Sequence, residues 1–208
     1  MISLAIFDFS GTLAYRPAGE YREIAAKLRD FNLPVNDGQV AKIEAKLPDY
    51  FSESSSWKEL TDKVLQKLGM VMEADRREGL ETFFEKCLAW KLFDDVESVL
   101  QLPQKKAILT LAGKFAVVGI PELRNFTIFT PEYTGAAKPD PKAFLAVLAK
   151  MKADPKETVM VGDTLENDIL PAMVLGMKAI LLDRHNSIET NDPSIIKINS
   201  LKELKKFL

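Results

Sequence analysis

Asp8 directly follows a short apolar run, residues 2–7, and Gly11 and Thr12 come close behind it. At the C-terminal end of a parallel strand, ligands bind in the crevice. A glycine beside an aspartate there lets backbone amides approach an anion. Such a carboxylate can attack phosphorus or hold a metal, and an aspartate in the same place can also simply cap a turn. Gly162-Asp163 closes a second apolar run, residues 158–161, and Asp168 follows five residues later, at the start of an expected helix. With Asp8 these two carboxylates make a hard oxygen donor set suited to Mg2+; taken singly they read as a helix N-cap and an exposed charge. Lys138-Pro139-Asp140-Pro141 holds a lysine in a loop stiffened by prolines. Its ammonium can offset carboxylate repulsion and hold a phosphate, or stay solvated. Thr110 falls at the end of the run 107–111, where its hydroxyl and the next amide, that of Leu111, can donate to a phosphate oxygen. Threonine is equally an ordinary strand residue.

These residues need elements to hold them. Apolar runs without alternation recur at 2–7, 107–111, 126–129, 158–161, 179–182 and 195–198, which suits strands buried on both faces of a parallel sheet. Helices are expected between several of them. Pro141–Met151 follows Asp140 as N-cap, 166–175 ends at Gly176, and 200–208 reads as a short amphipathic closing helix. The alternation predicts an α/β chain with a doubly wound, Rossmann-like, mostly parallel sheet. Residues 15–93 break it. Three apolar stripes run there at helical spacing: Tyr21, Ile24, Ala25, Leu28 and Phe31; Trp57, Leu60, Val64, Leu65 and Leu68; Leu80, Phe83, Phe84, Cys87 and Leu88. Leu33-Pro34 and Leu47-Pro48 are expected to separate helices, and Ser56 to cap the one that starts at Trp57. The expected organisation is a core of residues 1–14 and 94–208 with a helical insertion of residues 15–93.

Composition removes several kinds of function. The 208 residues carry 28 basic and 30 acidic side chains for a net charge of −2, which gives no general attraction to nucleic acid or an anionic membrane. One cysteine, Cys87, and one histidine, His185, rule out a Cys/His zinc site, an internal disulfide and a Ser–His–Asp triad. No apolar stretch is long enough to span a bilayer. The N-terminal apolar run, interrupted by Asp8 and lacking a basic start, reads as a strand and not as a signal peptide, so a cytoplasmic protein is expected. No feature of the sequence points to an oligomeric state.

Together the motifs are more specific than any one of them. Asp8-x-x-Gly-Thr, Thr110, Lys138-Pro-Asp-Pro and Gly162-Asp163-x-x-x-x-Asp168 occur in that order, each at an expected strand end. In this the chain resembles the haloacid dehalogenase superfamily of aspartyl-nucleophile phosphohydrolases, over nearly its whole length, and the insertion matches that family's helical cap. The resemblance implies that Asp8 is the nucleophile and that Mg2+ is held by Asp8, the main-chain carbonyl of Ser10 and Asp163, with Asp168 in support. It implies that Lys138 and Thr110, with Gly11, Thr12 and Leu111, bind the phosphoryl group of a small phosphorylated molecule. The chain departs from the family's phosphatases at Ser10, where they carry an aspartate that protonates the leaving group and then activates water. Serine does neither near neutral pH, and loss of a general acid–base costs about 10²–10⁴-fold. Weak turnover of ordinary monoesters is therefore expected. The other readings are a regulatory protein that binds a phosphorylated ligand or partner without turnover, and a phosphonatase-like enzyme that recruits a lysine from the insertion. Tyr15 and Arg16, beside Pro17, read either as a surface hinge or as side chains facing substrate.

Overall fold

Apolar runs that do not alternate can satisfy their backbone only inside a sheet covered on both faces. The computed structural model describes residues 1–16, 21–190 and 192–208; Pro17 lies outside them. Its strands are β1 (Leu4–Phe7), β2 (Ala14–Tyr15), β3 (Lys91–Leu92), β4 (Lys105–Leu109), β5 (Thr127–Phe129), β6 (Thr158–Gly162), β7 (Lys178–Leu182) and β8 (Ile196–Ile198). Six of these form one sheet in the order β5-β4-β1-β6-β7-β8, and every pairing in it is parallel. This is the expected doubly wound α/β architecture.

β1 sits at the centre of the sheet, with Phe7 level with Ile108 of β4 and with Val161 of β6. All four of its residues are fully buried. On one face Leu4, Ile6, Ala107, Leu109, Phe129, Met160, Ala179 and Leu181 pack against Phe144 and Val147 of the helix Pro141–Met151 and against Ile169 and Ala172. Intervening residues such as Phe7, Ile108 and Val161 are buried on the opposite face. The Asp140 side chain caps Pro141–Met151 by accepting from the Lys142 amide at 2.9 Å. At the end of the chain, Ser200 and Glu203 form a capping box on the short 3-10 helix Leu201–Lys206, the closing element expected at 200–208.

The expected helix 166–175 takes a different form. Leu165–Ile169 is a π-helical turn, and Leu170–Val174 continues it as α-helix. Pro171 has no N–H to donate back into the preceding turn, and a widened turn before it removes the conflict. Gly176 stops the helix at φ +79, as expected.

The second unit comprises Arg16–Lys91 together with Gly113–Gly119. Its main helices are α1 (Tyr21–Ala26), α2 (Asp37–Glu53), α3 (Trp57–Leu68) and α4 (Ala74–Leu88). Leu28, Leu60, Val64, Leu80, Phe84 and Leu88 from the predicted stripes lie in its core. Ser56 caps α3, accepting from the Glu59 amide at 3.2 Å. Gly113–Gly119 falls in the interval 94–208 that was expected to belong to the core. Its Phe115 packs edge-on to Phe51 at 5.3 Å and to Trp57 at 4.9 Å, which explains why the segment clusters with the helices.

Leu47-Pro48 is not a break. Pro48 lies inside α2, on its exposed side, while Val40, Ile43, Leu47 and Phe51 are buried on the other. Burial of that stripe outweighs the hydrogen bond that the proline removes. Pro48→Ala is therefore expected to stabilise the protein. A mid-helix proline costs about 3 kcal/mol against alanine, and about 1 kcal/mol of this is offset because the unfolded chain becomes freer. Urea unfolding should show a gain of about 2 kcal/mol by that arithmetic.

Candidate active site

Four of the predicted residues meet at the C-terminal edge of the sheet. Asp8 follows β1, Asp163 follows β6, Asp168 lies in the π-helical turn, and Lys138 comes from the loop before Pro141–Met151. The Lys138 ammonium donates to Asp8 Oδ1 at 2.5 Å and to Asp168 Oδ1 at 2.6 Å. All three side chains are buried. The bond preceding Pro139 is cis. Asp168 also accepts from the Thr164 amide at 3.2 Å. Asp168 is thus a fully buried member of the cluster, against the alternative of an exposed helical charge.

Asp8, Asp163 and Asp168 can each present a carboxylate oxygen within 4.8 Å of the others. Three hard anionic donors at that spacing fit a small divalent cation such as Mg2+. Two glycines make the convergence possible. At Gly11, where φ is +84, an added Cβ would fall 2.1 Å from Asp163 Oδ2. At Gly162 it would fall 2.4 Å from Asp168 Cβ. Thr12 is buried and donates its hydroxyl to Asp163 Oδ1 at 3.4 Å.

The electrostatics follow from burial and sign. Burial pushes the Asp8 carboxyl up and Asp163 adds to this, while Lys138 pulls back without cancelling it. Asp163 is raised by burial and then by Asp168. Asp168 is raised by burial, with Lys138 opposing and Asp8 adding. For Lys138, burial alone would disfavour the ammonium, but Asp8 and Asp168 outweigh it and hold the group above the usual lysine range. One cation among three carboxylates leaves the cluster short of positive charge, a deficit that a divalent ion would make good.

The remaining predicted residues are placed as follows. Thr110 directly follows β4, is buried, and accepts from the Ala112 amide at 2.9 Å, which leaves its own proton for another acceptor. Leu111 is 46% exposed. The Gly11 amide donates to the Ala14 carbonyl at 2.8 Å, so this residue contributes space and not a free donor. Ser10 is exposed and bridges Ala14 through its backbone. Tyr15 packs against Phe93 with the rings tilted and their centres 4.9 Å apart. In the helical unit the Arg16 guanidinium lies over the Tyr21 ring at 4.1 Å and the Trp90 ring at 5.2 Å. A cavity of about 180 Å³ beside Asp163 is lined by Gly11, Phe93, Arg184 and His185, among others.

Sequence reasoning missed one pair. Arg184, just past β7, meets Asp95 through two bonds of 2.9 Å and donates to the carbonyls of Gly11 at 3.2 Å and Thr12 at 2.7 Å. Its guanidinium stacks on Phe93 at 3.8 Å. The partners are 89 residues apart in sequence, and neither sits in a recognisable motif.

Residues 2–176 match the family of haloacid dehalogenase-like hydrolases, and the chain belongs to it. A phosphoserine phosphatase of Thermus thermophilus is 26% identical over 62% of this chain and 55% of its own length. A glyceraldehyde 3-phosphate phosphatase of Methanocaldococcus jannaschii is 39% identical over 37% of this chain and 35% of its own length. The chain therefore spans about half, or less, of the curated relatives it matches first. Among solved structures, a 2-haloacid dehalogenase of Pseudomonas syringae superposes with a TM-score of 0.68 at 24% identity, covering 99% of this chain and 97% of that one, which speaks for the fold. Among the described residues no helix is long and apolar enough to cross a membrane.

A carboxyl raised by burial and by like charge stays protonated in the folded protein over a window where the unfolded chain has already ionised. Without metal its contribution is greatest below the ordinary carboxylate range and is lost as pH rises through that window. Asp163→Asn removes the loss. Without metal, its Tm should match wild type near pH 4 and exceed it by about 2–4 °C near pH 7.5, for roughly 1 kcal/mol of relieved repulsion. Added Mg2+ should raise the wild-type Tm and leave the variant unchanged, as read by scanning calorimetry.

Proposed function

We propose that this haloacid dehalogenase-like hydrolase is a phosphatase acting on a small phosphorylated metabolite through an aspartyl-phosphate on Asp8. The observation that carries this reading is the Lys138 ammonium held between the buried carboxylates of Asp8 and Asp168. An aspartate that only capped a turn would need no buried cation, whereas a carboxylate that must approach a phosphate dianion needs one to offset the repulsion.

An Asp8 carboxylate oxygen attacks phosphorus as the bond to the leaving oxygen breaks, and that oxygen departs as an anion with the bonding electron pair and takes its proton from solvent. Lys138, the Thr110 hydroxyl and the amides of Thr12 and Leu111 meet the phosphoryl oxygens. Water then attacks the phosphorus of the acyl phosphate, which frees Asp8 and releases inorganic phosphate. Asp8, Asp163 and the Ser10 carbonyl would hold Mg2+, with Asp168 in support through water or directly. When bound, that ion supplies positive charge against the charge that develops on the phosphoryl group. The helical unit acts as the cap that selects the leaving group. The phosphoserine and glyceraldehyde 3-phosphate named for the relatives suggest the class of substrate, a small molecule with one phosphate ester.

Ser10 shapes the activity. No carboxylate stands at this position to protonate a leaving alkoxide, so aryl and acyl phosphates, which leave as stable anions, are the better substrates. The same residue favours a second reading, a protein that binds a phosphorylated ligand without turning it over. Hydrolysis of an aryl phosphate with and without Mg2+, with Asp8→Asn as the blank, separates the two. Metal-dependent turnover above the blank is expected, and its absence would leave the binding reading. Ser10→Asp is expected to raise turnover of an alkyl monoester by about 10²–10⁴-fold, the usual worth of a general acid–base. No gain in that variant would mean that Ser10 is not what limits the reaction.

A further inference from the structure

We propose that Arg184, fixed by Asp95, is a positioning residue that clamps the turn after Asp8 and so sets the geometry in which Asp8 and Asp163 take a divalent cation. The inference rests on the reading of these carboxylates as a metal site and assigns a role to a pair which that reading does not use.

The guanidinium is held on one edge and on one face. Asp95 takes two parallel bonds of 2.9 Å from Nη1 and Nη2, a bidentate geometry that fixes the plane of the group. Phe93 lies under that plane at 3.8 Å. Asp95 is itself fixed by the Ser200 hydroxyl at 2.8 Å and the Leu201 amide at 2.9 Å, at the start of the closing 3-10 helix. Burial alone would raise the Asp95 carboxyl, but the donors from Arg184, Leu201 and Ser200 outweigh it and hold the group below its usual range. The cation is therefore pre-set, and its remaining N–H groups aim at the turn.

Those groups reach two consecutive carbonyls, Gly11 at 3.2 Å and Thr12 at 2.7 Å. Both residues touch Asp163. A Cβ on Gly11 would fall 2.1 Å from Asp163 Oδ2, and the Thr12 hydroxyl reaches Asp163 Oδ1 at 3.4 Å. Holding the two carbonyls thus fixes both groups that confine the Asp163 carboxylate. The turn begins at Gly11, three residues past Asp8, so the same contact limits how the two acids move against each other. A lysine in place of Arg184 keeps the charge but loses the planar fork that meets Asp95 and the turn at once.

The test measures Tm as a function of Mg2+ concentration for wild type, Arg184→Gln, Arg184→Lys and Asp154→Ala, with aryl phosphate kinetics on the same samples. Asp154 caps the short 3-10 helix Pro155–Glu157, ahead of β6, by accepting from the Lys156 amide at 2.8 Å, so Asp154→Ala reports lost stability alone. The expected result is a rise of about tenfold or more in the Mg2+ concentration that gives half the Tm shift in Arg184→Gln, the scale on which supporting contacts alter metal affinity. Arg184→Lys should fall between Arg184→Gln and wild type, and Asp154→Ala should lower Tm without moving the half-saturation point. In Arg184→Gln kcat should fall while KM for the aryl phosphate stays within about twofold, since no substrate contact is lost. If Arg184→Gln loses Tm yet keeps the wild-type Mg2+ dependence and kcat, the positioning role is overturned and the pair is only a brace. If Arg184→Gln does not fold, Arg184→Lys carries the same comparison against Asp154→Ala. A wild-type protein whose Tm does not respond to Mg2+ would overturn the metal reading itself, a result separate from a response that all variants share.

Discussion

The Lys138 ammonium between Asp8 and Asp168 is the contact on which the rest of the site depends. Three carboxylates at one edge of a sheet repel one another, and burial deepens the cost because water cannot screen them. A single buried cation makes the arrangement tenable while leaving it short of positive charge. The surrounding structure accommodates this. Gly162 has no side chain because Asp168 occupies the space that one would fill. The π-helical turn lets Asp168 reach both Lys138 and the Thr164 amide before Pro171 resumes the helix. These features look like separate irregularities until the carboxylates are considered together.

Much of this was legible in the sequence, for a physical reason. Strands buried on both faces must be apolar throughout, so 158–161 and 179–182 announce themselves without any partner being known. Candidate residues at strand ends are legible too, because each lies beside a run that the same rule identifies, although Asp8, Thr110 and Asp163 each had an ordinary structural reading alone and pointed to a site only in their order together. Pro48 misled, because a proline's local penalty can be read from the chain while the packing of Ile43, Leu47 and Phe51 that outweighs it cannot. That Phe115 groups with the helices was out of reach for the same reason. Its aromatic partners, Phe51 and Trp57, lie more than fifty residues earlier.

Arg184 and Asp95 mark the limit more sharply. Each looks like an ordinary charged loop residue, and their chemistry exists only once β7 and the segment after β3 lie side by side. A motif reports side chains that meet a ligand. It is silent on those that hold the backbone carrying the motif, because many residue types can supply such support from many places in the chain. In this protein the supporting cation works through carbonyls, which have no sequence signature at all.

The placement of Phe115 bears on how such proteins can be taken apart and recombined. An insertion with one entry and one exit could be lifted out as a single cassette and grafted onto another host. Here the helical unit takes its wall from two stretches of chain, Arg16–Lys91 and Gly113–Gly119, with β4 threaded between them. A cassette cut at the first pair of junctions would leave Phe51 and Trp57 facing a hole, and the donor's second stretch would have no aromatic shelf to sit on. Exchange between relatives is thus constrained to move both stretches at once, which ties the history of the helical unit to that of a loop lying just past Thr110 and Leu111.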